Sequence, residues 1–364
     1  TELTRSTTGA FLEDALRAVP GVQIQNRYNL AVGERLSIRG FGPRAQFGIR
    51  GIRVLVDGIP ATLPDGQTTI DHLDLAGLDR VEVLRGPAAA LYGNASGGVI
   101  HFQTVDPSLR PAEATARVVG GSYGLLNVQG SVSGKAGSTG YRVGVSRLTY
   151  DGFRRDPVAD DGRSYGGGTR AVVNTSFSFP LSGGTLKVVA NAVDLDADNP
   201  GSLSQTLLDL GDRQAYRFNV LSGTSKTVQQ GQAGASWMGP LGDWNGEIAT
   251  WGIRRDLSNP IPGSVVDVLR NAGGARGIFR REMDVSEGTL YFGGGVEGEF
   301  QSDRRLNFEN DGGAKGPLSL WQDERVLGGG VFMQGRLDMR SGISFLAGLR
   351  YDRLRFSADD HFVT

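Results

Sequence analysis

Three histidines, His72, His101 and His361, are the first residues to consider for catalytic or metal chemistry. They are scattered along the chain, and no two stand at the short intervals that zinc ligands use. The acidic run at 194–199 begins like a calcium loop but lacks the glycine and the glutamate that such a loop needs further on. No cysteine is present, which excludes thiolates and disulfides. These residues therefore predict neither a catalytic centre nor a metal site.

Two arginines occupy matched positions. Arg39 in RLSIRGFG and Arg85 in RVEVLRGP each follow a predicted strand and directly precede a glycine. After Arg85 the strand is broken by a proline, which cannot donate to a ladder. The chain then enters YGNASGG, whose glycines permit backbone conformations closed to other residues. The two arginines are either ion-paired inside the protein or solvated on its surface.

Composition points to many strands and turns rather than to a helical protein. The chain has 364 residues, of which 56 are glycine, roughly twice the average share. The formal net charge is -1, from 38 basic and 39 acidic side chains, so the basic excess of a nucleic-acid-binding protein is missing. No run of about 18 apolar residues is present, and no transmembrane helix is predicted.

Residues 1–105 are predicted to form a small mixed α+β domain. The segment 8–19 has the pattern of one helix, because its apolar residues share a face and Pro20 and Gly21 follow it. A threonine at its start can cap it. Short strands separated by long loops are predicted in VQIQ, RLSIRG, IRVLVDG, RVEVL and GVIHFQT.

The remainder, residues 106–364, repeatedly alternates apolar and polar residues with the period of a strand. In one segment Leu290 and Phe292 share a face, and Glu297 and Glu299 share the other. Eleven such segments are predicted, near 113–121, 124–135, 141–150, 169–180, 185–196, 226–238, 244–255, 276–286, 288–301, 326–339 and 343–357.

Short and long connections interleave between these segments. After the first tight turn, long connections are predicted at 151–168, 197–225, 256–275 and 302–325. Short turns on one side and long loops on the other are the layout of outer-membrane barrels. A soluble β-sandwich would not place a long loop at every second connection, and a propeller would show a regular repeat. The pattern favours a transmembrane antiparallel β-barrel.

Several blocks of the sequence resemble TonB-dependent outer-membrane receptors, especially those for ferric siderophores. The blocks are LEDALRAVPGVQI, RLSIRGFG, RVLVDGIPATLPDGQ, LDRVEVLRGPAAALYGNASGGVI and, later, VFMQGRLDM and SFLAGLRYD. The resemblance implies that residues 1–105 are an α+β plug domain inside a barrel of about 22 strands. About eleven of them lie in 106–364. Half a barrel would leave unpaired edges in lipid, so we expect this chain to be a piece of a longer receptor.

The resemblance also implies a function. A ferric siderophore would bind at the outer face and be moved inward with energy from the TonB–ExbB–ExbD complex. No bond is made or broken, so no enzyme activity is expected, and iron arrives inside the chelate rather than as a cofactor. The expected location is the Gram-negative outer membrane, among lipid and lipopolysaccharide, with no nucleic-acid partner. Alternatives are a receptor for cobalamin, haem or an oligosaccharide, and a passive pore or adhesin.

Site residues follow from the same resemblance. Similar receptors set two plug arginines against glutamates of the barrel, which would make Arg39 and Arg85 a latch whose glutamates lie beyond Thr364. Plug loops that face outward contact the ligand. Their arginines offer charge-assisted donors and their aromatic rings flat apolar contact, which suits an anionic, catecholate or hydroxamate iron chelate. The residues expected in these loops are Arg27, Tyr28, Asn29, Arg44, Gln46, Phe47, Leu63, Asp65 and Gln67.

Overall fold

Strands account for most of the structure. The computed structural model describes residues 9–17, 19–42, 48–85, 91–211 and 213–362, and for Ala76 the backbone alone. Within these ranges no helix is both long enough and apolar enough to cross a membrane. The strands form a group of small sheets up to Thr104, called the N-terminal unit below, and one large sheet that begins at Glu113.

The N-terminal unit consists of short elements around one apolar core. They are α1 (Glu13–Leu16), β1 (Val22–Gln25), β2 (Arg35–Ile38), β3 (Ile49–Arg50), β4 (Ile52–Val56), β5 (Ile59–Pro60), β6 (Gln67–Thr68), a 3-10 turn (Leu75–Gly77), β7 (Leu78–Leu84) and β8 (Gly98–Thr104). The main sheet has the order β5-β4-β8-β7, with β4 and β8 parallel. Its side chains Ile52, Ile100 and Phe102 are fully buried. The five predicted strands are all present, with three further two-residue strands.

The predicted helix over 8–19 is a single turn, α1. Gly9 has a φ of +65°, which a right-handed helix cannot include, so the helix begins later. The Glu34 carboxylate accepts the backbone N–H groups of Leu12 at 2.6 Å and Glu13 at 2.8 Å, which satisfies donors that a helix start leaves free. The predicted cap, Thr7 or Thr8, lies outside the described residues. The spacing of apolar residues along 8–19 contains no information about a capping side chain that comes from a later loop.

Eleven antiparallel strands in chain order form the large sheet, called the wall below. The strands after Thr104 are β9 (Glu113–Gly120), β10 (Leu126–Ala136), β11 (Thr139–Tyr150), β12 (Arg154–Arg155), β13 (Ser164–Tyr165), β14 (Gly168–Leu181), β15 (Gly184–Asp198), β16 (Ser225–Leu241), β17 (Trp244–Ile261), β18 (Ser264–Val285), β19 (Gly288–Asp311), β20 (Ala314–Met339) and β21 (Ser344–Asp360). The short hairpin β12–β13 stands apart, and β9 and β21 are the edges of the described wall. The eleven predicted segments are confirmed.

Side chains alternate between the two faces of the wall. On β19, Val296 and Phe300 point away from the N-terminal unit and are 56 % and 52 % exposed. Glu297, Gln301 and Asp303 point toward the unit and are buried. The outward face is therefore apolar and the inward face polar, which is the reverse of a soluble sheet and the arrangement of a membrane barrel.

Two of the predicted long connections are wrong. The segments 256–275 and 302–325 are continuous hairpins, β17–β18 and β19–β20, with two-residue turns at 262–263 and 312–313. Gly263 and Gly313 take φ of +83° and +98° in these turns. The sequence obscured these strands because apolar and polar residues do not alternate regularly there, and NPIPG and NDGGAKGP have the composition of loops. The connections at 151–167 and 199–224 are long, and the second carries α2 (Gln205–Asp209) and α3 (Arg217–Leu221).

The N-terminal unit rests on the inward face of the wall through small apolar contacts. Two of these clusters consist of a few side chains, and the one around Leu30 is larger. Leu30 and Ala31 pack against Leu148, Leu195 and Val228, Ile59 packs against Ala249 and Trp251, and Leu63 packs against Ile253 and Ala272.

Candidate functional site

Arg53 of β4 is a buried cation that reaches from the N-terminal unit into the wall. It is 2 % exposed. Its Nη2 donates to Glu299 Oε1 at 2.6 Å and to Glu297 Oε1, and its Nη1 donates to Glu299 Oε2 at 3.4 Å. Both glutamates lie on β19 and are themselves nearly buried. Only close pairing compensates for taking such charges out of water, so losing one partner costs about 3–5 kcal/mol.

Arg350 of β21 joins this cluster from the wall. Its Nη2 donates to Glu297 Oε2 and its Nη1 to the carbonyl oxygen of Leu91, each at 3.0 Å. A Cβ added to Gly93 would lie 2.5 Å from Arg350 Nη2. Gly93 therefore leaves the space through which a wall arginine reaches the backbone of the N-terminal unit. This close approach accounts for one glycine of the YGNASGG stretch.

Asp71 makes a second buried ionic contact with the wall. Lys226 Nζ and Arg255 Nη2 lie 3.0 Å and 2.9 Å from its carboxylate. Burial alone would raise the pKa of Asp71, but the two cations lower it below its ordinary value. Arg255 also donates to Gln230 Oε1 at 2.8 Å. Asp71 is thus ionised at neutral pH and tied to two wall strands.

His72 follows Asp71 and is buried, with neither ring nitrogen hydrogen-bonded to any described residue. Burial lowers the pKa of His72 to about 4. Asp71 opposes this shift, and the charges of Arg255 and Arg170 add to it. The ring is therefore neutral at pH 7. Protonation would add a third cation to Lys226 and Arg255.

Two further aspartates pair with wall cations. Lys187 Nζ lies 2.8 Å from Asp57 Oδ1, and Arg270 Nη2 lies 3.5 Å from Asp65 Oδ2. Arg270 is shared with Asp303 of the wall at 2.5 Å. Together with the two clusters above, the described residues of the N-terminal unit meet the wall in four ionic contacts on different strands.

The predicted latch arginines meet at one corner of the N-terminal unit. Arg85 Nη1 donates to the Pro20 carbonyl oxygen at 2.7 Å. The backbone N–H of Arg39 donates to the carbonyl oxygen of Gly21 at 3.2 Å. A Cβ on Gly21 would lie 3.2 Å from Arg85 Nη1 and 3.9 Å from Arg39 Cγ. Neither arginine forms an ion pair with a described carboxylate. Their role as a latch stays a prediction.

The first predicted ligand loop lies between β1 and β2. Tyr28 is 48 % exposed and meets the ring of Phe11 edge to face at 5.3 Å. Arg27 beside it is exposed. Asn29 is buried, and its Nδ2 donates to Asn199 Oδ1 at 3.0 Å. Arg27 and Tyr28 are thus open to solvent, whereas Asn29 ties the loop to the long connection after β15.

The second predicted ligand loop packs against the wall. Leu63 is 4 % exposed, and Asp65 lies beside a wall arginine as described above. The backbone N–H of Gln67 donates to Asp65 Oδ1 at 2.8 Å. In this conformation the loop is engaged with the wall, and its contact with a ligand stays a prediction. The remaining predicted ligand residues lie outside the described part of the chain: Arg44, Gln46 and Phe47.

Sequence reasoning missed Arg53. Its signal was a lone arginine inside IRVLV, an otherwise apolar strand, because a buried charge requires a partner. Alternation on β19 places Glu297 and Glu299 on the inward face, yet no local pattern connects them to a residue 244 or 246 positions earlier. The partners of Asp57 and Asp71 were missed for the same reason.

Comparison with known proteins agrees with this architecture. A family model described as TonB-dependent Receptor Plug Domain matches residues 2–99. The chain is 32 % identical over 164 residues to the vitamin B12 transporter BtuB of Photobacterium profundum, covering 41 % of this chain and 24 % of that protein. It is 39 % identical over 113 residues to the hemin receptor of Yersinia pestis, covering 30 % and 15 %.

Solved structures extend the similarity over almost the whole chain. The ferric citrate transporter FecA in its unliganded form matches with a TM-score of 0.77 at 17 % identity, covering 98 % of this chain and 55 % of that one. The pyoverdine outer membrane receptor FpvA of Pseudomonas aeruginosa PAO1 matches with a TM-score of 0.72 at 16 % identity, covering 97 % and 55 %. At these identities the likeness shows the fold. The chain spans little more than half the length of these receptors.

Proposed function

We propose, on the premise that this chain belongs to the TonB-dependent receptors of the outer membrane, that it binds a ferric siderophore at its outer face and imports it. The N-terminal unit is then the plug, and the wall is part of the surrounding barrel. Relatives of this kind are transporters and receptors rather than enzymes.

The observation that carries the proposal is how the plug is held. Among the described residues it meets the wall through four ionic contacts and through separate apolar clusters, with no single continuous apolar interface. Charged groups can exchange a protein partner for water, whereas a large apolar interface would lose its burial on opening. Such an interface suits a plug that closes the lumen at rest and shifts during import. We assign the energy for that shift to the TonB–ExbB–ExbD complex.

The ferric siderophore is supported by the loop that faces the solvent. Arg27 can donate charge-assisted hydrogen bonds to an anionic chelate, and Tyr28 offers an exposed ring for apolar contact. Structural similarity to a ferric citrate transporter and to a pyoverdine receptor points in the same direction.

Cobalamin and haem form the second candidate class, favoured by the names of the sequence relatives. The positions of the three histidines are relevant to whether the chain could bind haem. His72 is buried in the plug, and His101 is part of β8 and accepts the N–H of Gly58 at 3.0 Å. His361, beside the ring of Trp321 at 5.1 Å, is the exposed one.

Calorimetric titration of the full-length protein separates these classes. Ferric citrate, a ferric hydroxamate, a ferric catecholate, cyanocobalamin and hemin would be titrated in turn. We expect binding of an iron chelate that weakens about tenfold, or 1.4 kcal/mol, in Arg27→Gln. Arg80→Gln, an exposed arginine on β7, is the matched control and should bind like the wild type. Binding of cyanocobalamin or hemin without any siderophore would overturn the proposal.

A further inference from the structure

A groove on the outward face of the wall lies close to the short turns. It is lined by Leu241, Trp244, Phe279, Phe292 and Gly294 and has a volume of about 430 Å³. The rings of Trp244 and Phe292 meet edge to face with centroids 6.1 Å apart. Gly294 contributes no side chain, so the wall is concave at this point.

Strand register places this groove on the membrane side of the wall. Phe279 pairs with Gly246 on one side and Gly294 on the other, and Arg281 pairs with Phe292. These residues share the face of the exposed apolar side chains and are opposite to the glutamates that meet the plug. The short turns of outer-membrane barrels face the periplasm. The groove therefore opens toward the periplasmic leaflet of the bilayer.

Two opposite charges stand at the mouth of the groove. Asp243 lies in the turn between β16 and β17, and its side chain is 75 % exposed. Arg281 Nη2 lies 2.9 Å from Asp243 Oδ2, and its guanidinium lies over the Trp244 ring at 5.9 Å. An ion pair this exposed contributes little by itself, so each member is available to a ligand. An acid, a base and an apolar groove thus lie together at the level of the lipid headgroups.

We propose that this groove binds one phospholipid whose headgroup carries both a phosphate and a primary ammonium group. Its acyl chain would occupy the groove, its phosphate would accept from Arg281, and its ammonium would donate to Asp243. Each headgroup charge then meets an opposite charge through a charge-assisted hydrogen bond. A purely anionic headgroup would leave Asp243 without a partner, and a trimethylated headgroup has no N–H to donate. The site therefore selects aminated zwitterionic lipid.

Native mass spectrometry of the full-length protein tests this selection. The protein in mild detergent would be mixed with equal amounts of phosphatidylethanolamine, phosphatidylglycerol and phosphatidylcholine. We expect one phosphatidylethanolamine to be retained in preference to the others. Asp243→Asn should weaken its retention about tenfold without weakening that of phosphatidylglycerol, and Arg281→Gln should weaken both. Arg340→Gln, in the short turn between β20 and β21, is the matched control and should change nothing.

A second pair of variants tests the groove itself. Gly294→Leu should fill the groove and abolish selective retention, whereas Gly252→Leu, on the outward face in open space, should leave it intact. Equal retention of the three lipids, or retention unchanged by Asp243→Asn, would overturn the proposal. Copurification of a polypeptide seated at the groove would also overturn it. None of these outcomes depends on which nutrient the receptor binds, so failure here leaves the transport proposal standing.

Discussion

Arg53 and Glu299 lie 246 residues apart in the sequence, yet their Nη2 and Oε1 atoms are 2.6 Å apart inside the protein. One belongs to β4, an inner strand of the plug sheet, and the other to β19 of the wall. The pair, with Glu297 and Arg350, joins the plug to strands β19 and β21 of the wall. It is a contact of low net stability but of high cost when broken, because either partner alone would be a buried charge.

Removing Arg53 should therefore loosen the plug. For Arg53→Ala in the full-length protein we expect a loss of about 3–5 kcal/mol in plug docking. That loss should raise amide hydrogen exchange in β4 and β8 by at least about a hundredfold, since each factor of ten is 1.4 kcal/mol. Arg80→Ala is the control, because Arg80 pairs with Glu82 on the same strand and is largely exposed. Protection in β4 that is equal in both variants would contradict the role of Arg53.

Gly93→Ala should displace Arg350 from the plug. The added methyl group would lie 2.5 Å from Arg350 Nη2, and overpacking of this kind costs about 1–3 kcal/mol. Chemical denaturation of the plug would report the loss. Gly298→Ala meets nothing within 4 Å and is the control. In a double-mutant cycle, Arg350→Ala should cost less in the Gly93→Ala background than alone. Additive losses would show that the two positions do not act on each other.

Acidification should weaken plug docking through His72. The folded-state pKa of His72 is lowered from 6.5 to about 4, so its neutral ring favours the docked state above pH 6.5. That advantage is lost as the pH falls toward 4 and amounts to about 3 kcal/mol at most. Asp71 has a lowered pKa as well, and its contribution is lost only below about 3.8.

Hydrogen exchange of 69–75 between pH 7 and pH 4.5, corrected for intrinsic rates, would measure this dependence. His72→Gln should remove most of the change in that interval, because the amide does not titrate. A wild-type plug whose protection is the same at both pH values would refute the prediction.

The paired arginines at the Gly21 corner give a separate prediction. Replacing Arg39 and Arg85 together with alanine removes the hydrogen bond from Arg85 to the Pro20 carbonyl oxygen and any charge contact with later barrel strands. Hydrogen exchange should rise across 81–102 in the full-length protein. If only the corner bond mattered, the rise would stay near Pro20. Unchanged protection across 81–102 would reject the latch.

Much of the architecture could be predicted because its signals are local. Alternation of apolar and polar residues marks each wall strand inside the membrane band, as on β19 with Phe292 outward and Glu297 inward. Where apolar and polar residues no longer alternate regularly, as beyond Phe300, the signal disappears and strands look like loops. The helix before Pro20 was overestimated because its limits are set by Gly9 and by a side chain from another loop.

For the ionic contacts, the sequence can indicate a buried charge but not the residue that pairs with it. An arginine inside an apolar strand, such as Arg53, predicts that a buried partner exists. Which residue is the partner depends on the register of the strands across more than 200 intervening residues. Matched motifs singled out Arg39 and Arg85, which both lie beside Gly21, and their pairing with barrel glutamates stays a prediction. The residue type at one position thus predicts that a contact exists, whereas the topology of the fold determines which residue is the partner.

Conductance of the purified full-length protein in a planar lipid bilayer tests the central claim most directly, namely that the wall holds a plug which closes the lumen. The wild type should show no large, steady open channel. Arg53→Ala combined with Arg350→Ala should show frequent transient openings, because both arginines that join the plug to the wall in this cluster are then lost. A large, steady conductance in the wild type would contradict the account.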